Sequence, residues 1–242
     1  MNVADSEVVA AILQQHHYIL TGDPDEADLV LVNTCSIREN AEHKVRVRLK
    51  ELGQLKNRRP GVSLGVIGCM AERLSERLLE DEPVVDMVAG PDAYRELPSL
   101  LRIVEEGEKG VNTVLSRTET YADIDPVRMD RNGVTAFVSI MRGCNNFCSY
   151  CVVPGTRGRE RSREPETILH ETEALCEKGY REVTLLGQNV NSYQWKENGN
   201  IMSFPGLLDR VARIDPGLRI RFATSHPKDL SDDLLKVMAR HP

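Results

Sequence analysis

The sequence predicts an α/β protein, an amino-terminal doubly wound parallel sheet followed by the first half of a β/α barrel. Three observations predict it. Short apolar runs alternate with helix-like stretches, the pattern of strands buried on both faces of a parallel sheet. The alternation stops at a polar stretch, 117–133, that carries Pro126 and several acidic residues. It then restarts for three β/α units within 134–242, fewer than the about 200 residues or more of a complete barrel require. The expected organisation is an amino-terminal domain over 1–116, a linker over 117–133 and a second domain over 134–242.

Each element has its own signal. Ser6 is expected to cap a helix with Val8, Val9, Ile12 and Leu13 on one face. The apolar run in 28–34 reads as a buried strand, and a charged helix follows over 39–55. Pro60-Gly61 marks the turn into a second strand at 62–67. A helix through Arg73, Leu74 and Leu78, a third strand at 84–88 and a helix over 94–104 complete the first domain. The second domain reads as strands at 134–140, 182–186 and 218–223, with helices over 165–176, 204–211 and 229–238.

Composition narrows the function classes. Lys and Arg number 31 against 37 Asp and Glu, a net charge of −6, so the chain is no general polyanion binder. Contact with nucleic acid would need a local basic patch. Hydrophobic residues at 40% and charged residues at 28% describe a globular chain rather than a disordered one. No apolar run approaches the roughly 18 residues that cross a bilayer. The first residues lack the positive segment and apolar core of a secretory signal. A cytoplasmic protein with no membrane partner is the expectation.

The six cysteines carry the chemistry. Cys144, Cys148 and Cys151 lie on one tight loop directly after a predicted strand, so three sulfurs can converge on one centre. Three ligands fall short of the four that saturate a structural zinc or a [4Fe–4S] cluster, which leaves one iron open to a small molecule. A zinc loop with a distant fourth ligand and simple packing remain alternatives. Cys35 and Cys69 each follow a predicted buried strand, beyond the carboxyl ends of the strands where open α/β folds bind ligands; buried free cysteines are the competing reading. Cys176 lies in a predicted helix and is expected to pack.

The run Arg142-Gly143-Cys144-Asn145-Asn146-Phe147-Cys148-Ser149-Tyr150-Cys151 resembles the radical S-adenosylmethionine (SAM) superfamily. That resemblance implies a radical-SAM partial barrel, a cluster on Cys144, Cys148 and Cys151 that binds SAM, and Tyr150 near the adenine. Asn33-Thr34-Cys35-Ser36-Ile37-Arg38 and Gly68-Cys69-Met70-Ala71-Glu72-Arg73 resemble the amino-terminal motifs of the radical-SAM methylthiotransferases. There, three cysteines hold a second [4Fe–4S] cluster that supplies sulfur, which implies a ligand role for Cys35 and Cys69. Met1-Asn2-Val3-Ala4-Asp5-Ser6-Glu7 is similar to the stretch just after that family's first cluster cysteine. Neither that cysteine nor its strand is in the sequence. The expectation is therefore a fragment, with the third cysteine entering before Met1, and with the rest of the barrel and a small β-rich RNA-binding domain following Pro242.

Within the family, Val152-Val153-Pro154, the segment 156–163, Gly187-Gln188-Asn189-Val190-Asn191-Ser192-Tyr193 and Thr224-Ser225-His226-Pro227 resemble the tRNA-modifying branch. Gly155 departs from the bulkier aromatic expected there. The branch implies methylthiolation at C2 of N6-isopentenyladenosine in the tRNA anticodon loop, with SAM, two [4Fe–4S] clusters and an electron donor, in a full-length enzyme expected to be a monomer. A sister type that methylthiolates a ribosomal-protein aspartate, and a non-catalytic iron–sulfur or zinc protein, are the alternatives. Arg157, Arg159, Arg161 and Arg163 against Glu160 form a short basic loop expected to hold RNA phosphates. Gln188, Asn189 and His226 fall at the ends of predicted strands, the face where β/α barrels place their sites. Contact with SAM or substrate is expected there, with a structural hydrogen bond as the alternative for His226.

Overall fold

A computed structural model describes residues 1–36, 39–129, 133–197 and 199–241. Ile37 and Arg38 of the first cysteine motif, and 130–132 of the expected linker, lie outside the described residues. The chain opens with α1 (Asn2–Gln15), β1 (Leu29–Thr34), α2 (Glu39–Arg58) and β2 (Ser63–Gly68). Next come α3 (Cys69–Leu74) and α4 (Glu76–Asp81), then β3 (Met87–Ala89), α5 (Leu97–Glu105) and β4 (Gly110–Asn112). The strands are parallel, in the order β1-β2-β3-β4. Leu64, Val66 and Val88 pack on α2, α3 and α4, whereas Ile67, Met87 and Ala89 pack with α1 and α5. Alternate strand residues thus bury opposite faces, as the unbroken apolar runs predict.

Three local expectations differ. Ser6 does not cap α1, which begins at Asn2; its hydroxyl instead accepts a hydrogen bond from Asn33 Nδ2 at 2.9 Å. The third strand starts at Met87 because Val84 and Val85 still belong to the turn after α4, where the Val85 N–H bonds Glu82 O at 3.0 Å. The stretch expected as a linker has neither helix nor strand over 117–129, yet it packs on the first domain. Tyr121 and Ile124 join its core, and the Tyr121 hydroxyl accepts from the Tyr94 N–H at 3.0 Å and donates to Pro91 O at 3.1 Å.

The second half contains β5 (Thr135–Ser139), β6 (Met141–Arg142), α6 (Val153–Arg157), β7 (Arg161–Ser162), α7 (Pro165–Glu177) and β8 (Glu182–Leu186). After these come β9 (Gln194–Glu197), β10 (Asn200–Ser203), α8 (Phe204–Ala212), β11 (Arg219–Phe222) and α9 (Asp232–Arg240). β5, β8 and β11 form a parallel sheet in the order β11-β8-β5, one piece of a barrel wall. The antiparallel pairs β6–β7 and β9–β10 are additions that the polar sequence around them did not signal.

A seam of buried charge joins the halves. Asp5 on α1 pairs with Arg142 at 3.0 Å and Arg157 at 2.5 Å, and Asp92 pairs with Arg161 at 2.9 Å. Glu7 pairs with Arg128 at 3.0 Å, and Glu171 receives both Arg128 and Arg163. The Arg142 guanidinium also lies 4.9 Å from the Tyr121 ring centroid.

Candidate functional site

In the two cysteine sets, Cys69 touches this seam through Arg157, Cys144 follows the seam residue Arg142 by two positions, and a glycine precedes each of these two cysteines. Gly68 has φ +92°, and a Cβ there would lie 2.6 Å from Thr34 O. Gly143 has φ +77°, and a Cβ there would lie 2.0 Å from Arg159 O. Only a residue without a side chain fits either place, so Cys69 and Cys144 begin their turns in fixed positions. Gly143→Ala should lower stability by more than about 1 kcal/mol and reduce iron uptake, measured by denaturation and by iron analysis after reconstitution.

In the first set, β1 and β2 pair at Thr34 and Gly68, which sets Cys35 and Cys69 at adjacent strand ends. Ser36, next to Cys35, donates to Glu42 at 2.8 Å and accepts from Arg73 Nε at 2.7 Å, a brace across the loop. Cys69 is buried, and its Sγ accepts from Arg157 Nε at 3.2 Å.

In the second set, the Cys144 N–H bonds Gly158 O at 3.1 Å, and its Sγ accepts from the Asn146 N–H at 3.3 Å. The Cys148 N–H reaches Asn146 O at 2.8 Å, and the Cys151 N–H reaches Cys148 O at 2.9 Å. Burial pushes the Cys144 thiol up, and Glu160, Cys151 and Cys148 add to it against the Asn146 hydrogen bond. Glu160 is a residue that sequence reading missed. It accepts from the Asn145 N–H at 3.2 Å and from Ser192 at 2.8 Å, clasping the cysteine loop to the segment after β8. Three thiols on one loop, one accepting a backbone N–H, match the donor chemistry of an iron–sulfur cluster with an open iron. Among the described residues no three His, Cys, Asp or Glu side chains already converge on a point that could hold one metal ion.

Residues 1–90 match the Uncharacterized protein family UPF0004, and residues 138–242 match the Radical SAM superfamily. A tRNA-2-methylthio-N(6)-dimethylallyladenosine synthase of Amoebophilus asiaticus is 57% identical over 246 residues, covering 97% of this chain and 51% of its own length. The synthase of the same name from Porphyromonas gingivalis is 56% identical over 244 residues, covering 100% of this chain and 52% of its own length. The chain belongs to the radical SAM methylthiotransferase family. It spans about half the length of the curated relatives it matches. Among solved structures, the radical SAM methyltransferase TsrM from Kitasatospora setae superposes with a TM-score of 0.64 at 16% identity, over 99% of this chain and 54% of that one. At that identity the likeness is one of fold.

Within this methylthiotransferase fold the expected site residues are placed unequally. Asn189, buried, donates from Nδ2 to Asp229 at 2.7 Å and accepts from the His226 N–H at 3.0 Å, so it ties the loop after β8 to the loop after β11. Gln188 Oε1 is buried without a hydrogen-bond partner. Tyr150 is 88% exposed at the tip of the cysteine loop.

The basic loop is corrected by the structure. Arg157, Arg161 and Arg163 are buried and paired with Asp5, Asp92 and Glu171, so they brace the fold instead of forming an open patch. Only Arg159 of the four faces solvent.

Glu72, one turn after Cys69 on α3, is a second residue the sequence did not single out. Its Oε2 is buried without a partner, and a Cβ on Gly90 would lie 1.7 Å from it. Burial, with Asp92 adding, pushes its pKa from 4.5 up to about 7. A carboxyl whose folded pKa is raised contributes stability that is full below its unfolded pKa and lost as pH rises through the folded one. Thermal melts between pH 4.5 and 7 should show a downward slope that Glu72→Gln flattens.

Proposed function

We propose that this chain is the catalytic part of an enzyme that adds a methylthio group at C2 of N6-isopentenyladenosine in the tRNA anticodon loop. The observation that carries the reading is the contact across the seam. A thiol of the set expected to donate sulfur, Cys69, is hydrogen-bonded to Arg157, six residues beyond the set expected to engage SAM. A transfer that activates carbon at one centre and delivers sulfur from another needs both centres against one substrate. The names of the relatives point to the same product.

Cys144, Cys148 and Cys151 would hold the SAM-binding cluster, and Cys35 and Cys69 would supply two thiols to the sulfur-donating one. Such a cluster, when bound with SAM, supplies the one-electron chemistry that breaks a C–H bond having neither an acidic proton nor a leaving group. The chain's own residues position these parts. Glu160 and Asn189 fix the loops around the cysteine triad, and Gln188 offers a buried acceptor to a ligand donor. Arg159 is the exposed cation of its loop for a phosphate, and the target base must be splayed from its loop to enter. No helix among the described residues is long and apolar enough to cross a membrane. The proposal is of a cytoplasmic enzyme that takes electrons from a donor and acts on tRNA as a monomer.

The test is nucleoside mass spectrometry after anaerobic incubation of the full-length reconstituted protein with SAM, dithionite and tRNA bearing N6-isopentenyladenosine. The 2-methylthio nucleoside is expected. Methylthiolation of a ribosomal-protein aspartate with unmodified tRNA would overturn the reading.

A further inference from the structure

We infer that Arg157 is a positioning residue for the sulfur-donating centre, holding Cys69 by an N–H···S hydrogen bond delivered from the radical SAM half of the chain. The inference rests on the reading of Cys69 as a cluster ligand. Arg157 ends α6, the helix after the cysteine triad, and its side chain is 3% exposed. Its three guanidinium nitrogens divide distinctly. Nε donates to Cys69 Sγ at 3.2 Å, Nη2 to Asp5 at 2.5 Å, and Nη1 is buried with no hydrogen-bond partner.

Bracing the halves requires only the Asp5 pair, which Arg142 also makes. The bond to sulfur is an additional commitment, and the guanidinium fork suits it because the fork serves two acceptors in fixed directions. A hydrogen bond to a ligating sulfur and a nearby positive charge both stabilise the more negative, reduced state of an iron–sulfur centre. The unpartnered Nη1 is a further buried donor, and an anionic sulfur atom is an acceptor of the right chemistry for it. Lysine at this position keeps the charge for Asp5 but has no Nε placed against Cys69.

The experiment uses the full-length protein, reconstituted with iron and sulfide, with Cys144, Cys148 and Cys151 replaced by Ala so that one centre is read. Redox titration followed by EPR should show Arg157→Lys lowering the midpoint potential by about tenfold in the one-electron equilibrium, about 59 mV. Arg142→Lys, which disturbs the same Asp5 without touching Cys69, should leave the potential unchanged. A residue that only braced the halves would shift the unfolding midpoint and not the potential, and an unchanged potential in Arg157→Lys overturns the inference. If that variant fails to fold, parent protein labelled with 15N-arginine should show a weak nitrogen coupling to the reduced centre by pulsed EPR; no coupling overturns it equally. Cys69→Ser separates the two readings. Retention of the parent's iron would remove Cys69 from the ligand set, whatever Arg157 does.

Discussion

Cys148→Ala is expected to reduce 5′-deoxyadenosine formation from SAM to background. Cys148 is the middle cysteine of the triad in sequence, and its N–H bond to Asn146 O and the bond its carbonyl accepts from the Cys151 N–H fix its backbone within the loop. Without it two thiolates remain, too few to retain a cluster with one open iron. Iron should fall by about four atoms per full-length chain, while the fold stays intact, because Cys148 belongs to none of the hydrophobic clusters. The readouts are iron analysis, circular dichroism and product detection with dithionite as reductant. 5′-Deoxyadenosine at the parent rate would show that the triad does not engage SAM.

The second large effect is on stability. Asp5→Ala should destabilise the protein by about 3–5 kcal/mol, since it leaves buried Arg157 without its carboxylate and buried Arg142 with Asp92 alone, at 3.5 Å. The Asp5 carboxyl is held below the usual range although burial alone would raise it, because both guanidinium groups favour its charge. Denaturant titration of parent and variant measures the difference. A loss smaller than about 1 kcal/mol, the level of an exposed pair, would mean that water takes the place of Asp5.

Much of the first sheet was legible because strands buried on both faces leave unbroken apolar runs. The run at 28–34 contains β1, and the run at 62–67 covers all of β2 but its last residue, Gly68. The cysteine spacing was equally plain, since a loop that gathers thiols has to keep them close in sequence. β4 was not legible because its three residues carry no pattern. The arginines were misread for a different reason. A charge count along 157–163 cannot see partners remote in the chain, and Asp5 lies 152 residues from Arg157. One signal was available. Asp5 and Glu7 sit among apolar residues of α1, and both are buried, so carboxylates on an otherwise apolar helix marked a polar seam.

That seam also bears on how the chain is made. Its carboxylates Asp5, Glu7 and Asp92 emerge early from the ribosome, and their partners Arg128, Arg142, Arg157 and Arg161 emerge late. At about 5–20 residues per second, the 152 residues between Asp5 and Arg157 amount to roughly 8–30 s of translation. Throughout that interval the carboxylates of α1 lack their cations, so burying them would cost the desolvation of an unpaired charge or the uptake of a proton, and docking of α1 is disfavoured on the nascent chain. The order of synthesis thus favours a first half that completes its packing once Arg128, Arg142, Arg157 and Arg161 have been made.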